Sequence, residues 1–289
     1  MSSKMRRTLL MILAAAVCLG LIILMVHMQQ NRIGEEKLKV TVLKVGKADA
    51  IVLQSAGKAM VIDTGEADDS EKIVKFLKEA GITDIDAMII THFDKDHVGS
   101  AGAIAEQFNV GRVLVPDYEG SGEEYESFMN AMKAAMIELE PVKDPLEFSF
   151  GETTVKIEPP LDYDVDLIAD AVEDFDNTMS LMTTVTCGEK KFLFAGDADR
   201  RRIKEWLSNT EVGHVDFLKV PHHGLFNAEL EHLLEVTTPD YAAITCSKKN
   251  PADETTLEML VKHGVNVFQT RDGVITAATD GTKIDIRLN

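Results

Sequence analysis

Cysteine is scarce: three residues in 289, Cys18, Cys187 and Cys246. No two of them have the close spacing of a cysteine-ligated zinc finger. Cys187 and Cys246 could pair, or stand as buried free thiols in strands. Basic side chains are the second shortage. Lys4, Arg6, Arg7 and Arg32 fall in the first 32 positions, which contain no acid; taking those four from 30 leaves 26 basic against 48 acidic residues, a formal charge of −22. Phosphate-backbone binding draws on Lys and Arg, so general nucleic-acid binding is excluded and no stable nucleic-acid complex is expected. Docking on an anionic membrane face is disfavoured for the same reason. Internal repeats are lacking too. A chain of 45% hydrophobic and 27% charged residues is long enough for one large domain, or two small ones, with a real core.

One long apolar run exists. "LLMILAAAVCLGLIILMV", Leu9–Val26, has 18 residues without a charge; as a helix it reaches roughly 27 Å, enough for a bilayer core. Its basic flank favours a cytoplasmic N-terminus, which puts the rest of the chain outside the cell membrane on a single pass. A cleaved signal peptide is the rival reading, but no small-x-small site follows, and "VHMQQNR" is a poor cleavage context. Cys18 suggests a lipoprotein site, yet Val17 stands where a small residue is wanted. Residues 1–30 are therefore read as a basic flank and signal anchor, 31–36 as a polar linker, and 37–289 as the functional domain.

Within that domain the patterning alternates. "KLKVTVLKV", "AIVLQ" and "AMVID" read as strands joined by turns such as "SAGK". "DSEKIVKFLKEAG" has helical spacing and ends on Gly81. "IDAMIIT" and "GRVLVP" read as strands around a helix from "HVGSAGAIAEQF". "EEYESFMNAMKAAM" is an amphipathic helix, with Met129, Met132 and Met136 assigned to its core face. "LEFSFGETTVKIEP" and "SLMTTVTCGEKKFLFAGD" are hairpins, and the acidic stretch Pro159–Asn177 between them reads as a loop. Helices from "RRRIKEWLS", "AELEHLLEV" and "ETTLEMLVKHG" alternate with strands from "VDFLKV", "YAAIT" and "NVFQT". "VITAAT" and "KIDIRL" close the chain as strands. Mixed sheets with helices on their outer faces fit this order, an α/β or α+β class.

Four short loops, each just after a predicted strand, carry the chemistry: "DTG" (Asp63–Gly65), "THFDKDHVG" (Thr91–Gly99), "AGDAD" (Ala195–Asp199) and "VPHHG" (Val220–Gly224). Together they hold His92, Asp94, Asp96, His97, Asp197, His222 and His223, a nitrogen-and-oxygen set suited to Zn²⁺, Mn²⁺ or Fe²⁺. His92 and Asp94 alternate along a short segment and could grip one ion, leaving Asp96 and His97 for a second. Two close ions can activate a water and clamp the oxygens of a displacement. Glycines at 99, 102, 196 and 224 let backbone approach a crowded centre. Helix capping is the plain alternative for Asp94, Asp96 and Asp197. Arg200–Arg202 reads either as a phosphate clamp or as local charge balance. Lys219, beside the His-His pair, is a weaker candidate for the site.

"HFDKDH" resembles the HxHxDH signature of the metallo-β-lactamase superfamily, with Asp94 replacing the middle His. That variant resembles the metallo-hydrolase domain of ComEC-type competence proteins. "KVGKADAIVLQSAGKAMVIDTG", "NTMSLMTTV", "FLFAGDAD" and "LKVPHHG" resemble the family's further motifs, in the family's order, over about residues 37–289. The resemblance implies a four-layer αββα sandwich and one or two divalent ions, Zn or Mn. His92 and Asp94 would hold the first ion, and Asp96 and His97 the second. Asp197 would bridge them, His222 or His223, with His222 favoured, would be the last histidine ligand, and Asp63 would support the ligands from behind. His223 and Asn177 join Asp96 as catalytic candidates. The sequence departs from the family at Lys47-Ala48, where Gln-Gly is usual, and at Leu225. The implied activity is that of a membrane-anchored hydrolase using a metal-bound hydroxide on phosphodiesters, extracellular DNA or a small phosphoester among them. Phosphorylcholine-esterase-like or lactonase-like hydrolysis, and a non-catalytic ligand-binding module, are the alternatives.

Overall fold

The computed structural model describes residues 34–161 and 175–289, plus the isolated position Val17. The signal-anchor reading of Leu9–Val26, Cys18 and positions 162–174 of the acidic loop lie outside the described residues. Among the described residues no helix is long and apolar enough to cross a membrane.

The first half opens with β1 (Leu38–Val42), β2 (Ala50–Ser55) and β3 (Lys58–Thr64), an antiparallel meander. It then winds through α1 (Ser70–Glu79), β4 (Asp84–Ile89), α2 (Lys95–Val98), α3 (Ala101–Gln107), β5 (Asn109–Pro116), α4 (Gly122–Ala134) and β6 (Leu139–Val142). From β3 to β6 the strands run parallel. The second half repeats this plan. Its meander is β7 (Leu146–Phe150), β8 (Thr153–Glu158), a helical turn α5 (Phe175–Thr178), β9 (Met182–Cys187) and β10 (Lys190–Phe194). Then α6 (Arg200–Asn209), β11 (Phe217–Lys219), α7 (Leu230–Thr237), β12 (Tyr241–Ile244), α8 (Glu254–Lys262) and β13 (Asn266–Gln269) follow. From β10 to β13 the strands are again parallel. β14 (Ile275–Thr279) and β15 (Ile284–Leu288) return to the first sheet, β14 pairing with β1. The strand orders are β15-β14-β1-β2-β3-β4-β5-β6 and β13-β12-β11-β10-β9-β8-β7.

Three apolar cores separate four layers, as the αββα expectation requires. Leu53, Ile62 and Leu114 of one sheet face Phe150, Phe192, Phe194 and Phe217 of the other. On the outer side of the first sheet, Val61 and Met88 meet Ile73 and Leu77 of α1 and Phe128 of α4. Beyond the second, Leu193 and Leu218 meet Ile203 and Trp206 of α6 and Leu233 of α7. β3 shows why its sequence is a continuous apolar run: Met60 and Ile62 point between the sheets while Val61 points under the helices, so both faces are buried.

Four sequence expectations change. Residues 175–178 at the end of the acidic loop form a helical turn. β6 is an additional strand, too short and polar to show a period. Of the three methionines assigned to the core, only Met132 is buried; Met129 is 37% exposed, and Met136 is 92% exposed at a left-handed φ of 55°. Capping of α6 falls to Asp199, whose side chain accepts from the Arg202 N–H at 2.8 Å, and so leaves Asp197 free of that task. Cys187 and Cys246 are both free and buried.

In open α/β sheets ligands sit outside the carboxyl ends of parallel strands. Here the ends of β3, β4, β10, β11 and β12 carry Asp63, Thr91–His97, Asp197, His222–His223 and Thr245. Gly99 locks one of these loops to its neighbour: its N–H donates to the Gly65 carbonyl at 2.9 Å. A Cβ there would stand 2.3 Å from the Ala67 nitrogen. Gly99→Ala is therefore expected to lower stability by about 1–3 kcal/mol through overpacking. An exposed helical Gly→Ala change should instead stabilise, so the sign read in a denaturant titration decides.

Candidate metal centre

Three buried imidazoles are held from behind in the same way. Thr91 Oγ1 donates to Asp63 Oδ2 at 2.7 Å, so its lone pairs are left to accept from His92 Nδ1 at 3.0 Å. Thr245 Oγ1 donates to Asp49 Oδ1 at 2.6 Å and accepts from His223 Nδ1 at 2.9 Å. His97 Nδ1 reaches Asp63 Oδ2 directly at 2.8 Å. Each ring thus carries its proton on Nδ1 and turns an Nε2 lone pair inward. All three Nε2 atoms are buried, without a hydrogen-bond partner among the described residues.

A carboxylate stands where these lone pairs converge. Asp197 Oδ2 lies 3.0 Å from His223 Nε2 and 3.4 Å from His97 Nε2. Asp96 Oδ2 is 3.3 Å from His223 Nε2, and Asp94 Oδ2 is 3.4 Å from His92 Nε2. Donors sharing one zinc-sized ion stand about 3.3 Å apart, given bonds of about 2.0–2.1 Å. Two donor groups result: His92, His97 and Asp197, and Asp96, His97 and His223, each with ligand atoms within 4.8 Å of one another. Orphaned, inward-facing nitrogens spaced in this way fit divalent cations.

Charge points the same way. Asp49 and Asp197 flank one buried ammonium, Lys219, which is fully enclosed, pairs with Asp49 and lies 3.4 Å from Asp197, and Asp63 adds to the negative field around it. Burial opposes the ionised form of Asp197, but His223, His97 and Lys219 hold it well below the usual carboxylate range. Asp96 is likewise brought to about 2 against its burial, chiefly by His223 and His97. Burial disfavours a charged His223, yet Asp197, Asp49 and Asp96 push it up to about 10. The excess negative charge therefore draws in protons or metal cations, and the two compete for the same nitrogens.

The expected pairings change in detail. His97 belongs to both donor groups, not to the second alone. His222 and His223 exchange places. Both occupy the left-handed region, with φ of 48° and 53°, and the two rings diverge with planes at 66°. His223 turns into the cage. His222 stays partly exposed, its Nε2 3.9 Å from Asp197 Oδ2, and lines a cleft of about 420 Å³ with Lys47, Phe93, Asp94, Asp96 and Asp197. Asp94 sits at the N-cap of α2 but makes no side-chain capping bond. Asn177 is buried in α5 and does not line the cleft. The clamp reading of Arg200–Arg202 loses its third member. Arg202 is fully buried, donating Nε to the Ser180 carbonyl at 2.8 Å and Nη2 to the Glu158 carbonyl at 2.5 Å. Lys219 serves the cage from within.

Two residues went unremarked in the sequence. Asp49 underpins His223 and Lys219; it lies within the motif-like stretch "KVGKADAIVL", but no role is assigned to it there. Asp176 accepts from the Tyr118 hydroxyl, which in turn accepts from the Phe93 N–H at 3.1 Å. Burial raises Asp176, and the nearby Asp94 carboxylate adds to this.

The sequence signature of the metallo-β-lactamase superfamily matches residues 43–247, most of the chain. The chain belongs to this superfamily. Within it, ComEC-type competence proteins are among its relatives. Recombination protein 2 of Haemophilus influenzae is 27% identical over 218 residues, covering 74% of this chain and 25% of that protein. ComE operon protein 3 of Bacillus subtilis is 25% identical over 205 residues, covering 68% of this chain and 25% of that protein. The chain thus spans about a quarter of the length of these curated relatives. Among solved structures, the CmlA β-hydroxylase E377D mutant superposes with a TM-score of 0.54 at 18% identity, covering 82% of this chain and 53% of that one, a likeness of fold. The superfamily generally holds one or two divalent metals, and the donor groups above are where this member would hold them.

Asp49 and Thr245 orient His223 and would act on a bound metal through it. Thr245→Val and Asp49→Asn are expected to weaken divalent-metal affinity about 10–100-fold, as loss of supporting hydrogen bonds does elsewhere. Metal competition against a chromophoric chelator checks this; unchanged affinity would refute the support role.

Proposed function

We propose that this chain is a metal-dependent hydrolase of phosphoric esters, phosphodiesters foremost, held at the membrane by its N-terminal apolar segment with the catalytic domain outside the cell. The observation that carries the reading is the convergence of three buried imidazole Nε2 atoms, without a hydrogen-bond partner among the described residues, on the Asp197 carboxylate, which lines a cleft open to solvent. His92, His97, His223, Asp96 and Asp197 would hold the ions, with Asp94 beside His92. The oxygen-rich set around His92 and Asp94 suits Mn²⁺ as well as Zn²⁺. A bound divalent ion supplies a water of lowered pKa and an electrophile for a phosphoryl oxygen.

The chain's own residues do the remaining work. Asp63, Thr91, Asp49 and Thr245 fix the ligand rings. Asp96 reaches both His223 and the cleft, where its carboxylate, kept ionised, can accept a hydrogen bond from an attacking water and orient it. His222 lines the same cleft. Burial lowers its imidazole from the usual range, which suits the ring to accept a proton from an attacking water. The formal charge of −22 after residue 32 favours a small phosphoester over a long nucleic acid such as extracellular DNA.

The test uses the full chain in detergent, with metal content measured alongside turnover of bis-p-nitrophenyl phosphate. Asp197→Ala is expected to lower turnover more than about 100-fold, beyond the range for outer supports, and to lose metal with it. Chelation should abolish activity and Zn²⁺ or Mn²⁺ restore it. A protein that holds metal yet cleaves no phosphoric ester, choline ester or lactone is a ligand-binding module and not a hydrolase.

A further inference from the structure

The cleft has a cation, Lys47, that no carboxylate among the described residues pairs with. Lys47 lies on the loop between β1 and β2, and that loop is clamped. The Asp49 N–H donates to the Asp96 carbonyl at 3.1 Å, the Gly65 N–H to the Asp49 carbonyl at 2.7 Å, and the Leu43 N–H to the Ala50 carbonyl at 2.9 Å. The Asp49 side chain is meanwhile pinned between Lys219 and Thr245. The backbone under Lys47 is thus fixed to the metal loop itself, and its half-buried side chain lines the cleft beside Asp96, Asp197 and His222.

Other basic groups nearby are already committed. Lys95, in the same cleft, leans on Glu66 at 3.6 Å. Lys219 is fully enclosed against Asp49. Among the described residues no carboxylate forms an ion pair with Lys47. In a chain of 48 acidic and 30 basic residues, a cation kept unpaired at the mouth of a carboxylate-lined site is placed to receive an anion from solvent. Its charge is felt at the imidazole of His222, adding to the lowering that burial causes there.

We propose that Lys47 is the substrate-anion contact of this cleft, its ammonium meeting a non-bridging oxygen of the phosphoryl group above the Asp197–His223 floor. The proposal rests on the phosphoric-ester reading and narrows it. Glu124, at the start of α4, lines the same cleft, so a substrate with one anionic phosphate suits it better than a polyanion.

The test measures inorganic phosphate binding to the metal-loaded full chain by titration calorimetry, with bis-p-nitrophenyl phosphate kinetics in parallel. Lys47→Gln is expected to weaken phosphate binding about tenfold, the effect of one hydrogen bond to a charged group, with metal content and thermal midpoint held. kcat/KM on the diester should fall by a similar factor, and the gap from wild type should narrow as salt rises. Lys47→Arg, which keeps the charge, should recover most of the affinity. Phosphate affinity that is unchanged in Lys47→Gln, or absent in wild type, overturns the proposal, as does a Lys47→Arg variant no better than Lys47→Gln. Lys47-dependent phosphate binding without any ester turnover would retain the anion site and reject the hydrolase.

Discussion

The site depends on one interaction repeated three times: an imidazole Nδ1–H donated outward to a fixed acceptor. Without it each ring could flip or change tautomer, and no lone pair would be committed to the interior. Asp63 serves two of the rings, one directly and one through Thr91, and does so from a left-handed φ of 56° that only a well-braced residue can keep. Asp49 serves the third through Thr245. The two halves of the fold each contribute carboxylates and histidines, so a cage with no sequence continuity has the rigidity of two sheets behind it.

Much of this was legible in the sequence, for physical reasons. Strands buried on both faces are continuous apolar runs, helices at the outer layers keep a 3.6-residue period, and four loops rich in His and Asp each followed a strand. From those alone the carboxyl edge of the parallel strands could be located. What escaped notice was tertiary. Asp49 acquires its meaning from Lys219 and from Thr245, 196 positions away. The exchange of His222 and His223 follows from two successive left-handed residues, which no pattern in "VPHHG" announces. "LEPV" is too short to show a period, so β6 went unseen, and Met136 had helical spacing but lies past the last turn of α4.

Electrostatics ties fold to function. A buried ammonium and four carboxylates would be a poor device for stability alone, since desolvating such charges is seldom repaid by their attraction. The arrangement suits a site that would take up a divalent cation. The same logic would reach the rim: to handle an anionic ester, as proposed, an acidic domain would need a local exception to its own field, and Lys47 would be that exception.

The pairing of β14 with β1 has a spatial corollary. β1 runs in the same direction as β3, so its beginning, where Lys37 donates to the Thr279 carbonyl, lies at the rim of the sandwich opposite the metal cage. The polypeptide enters on one pole and the cleft opens on the other. Whatever grips the chain upstream of residue 34 would therefore leave the mouth pointing outward, free to meet molecules arriving from bulk solution.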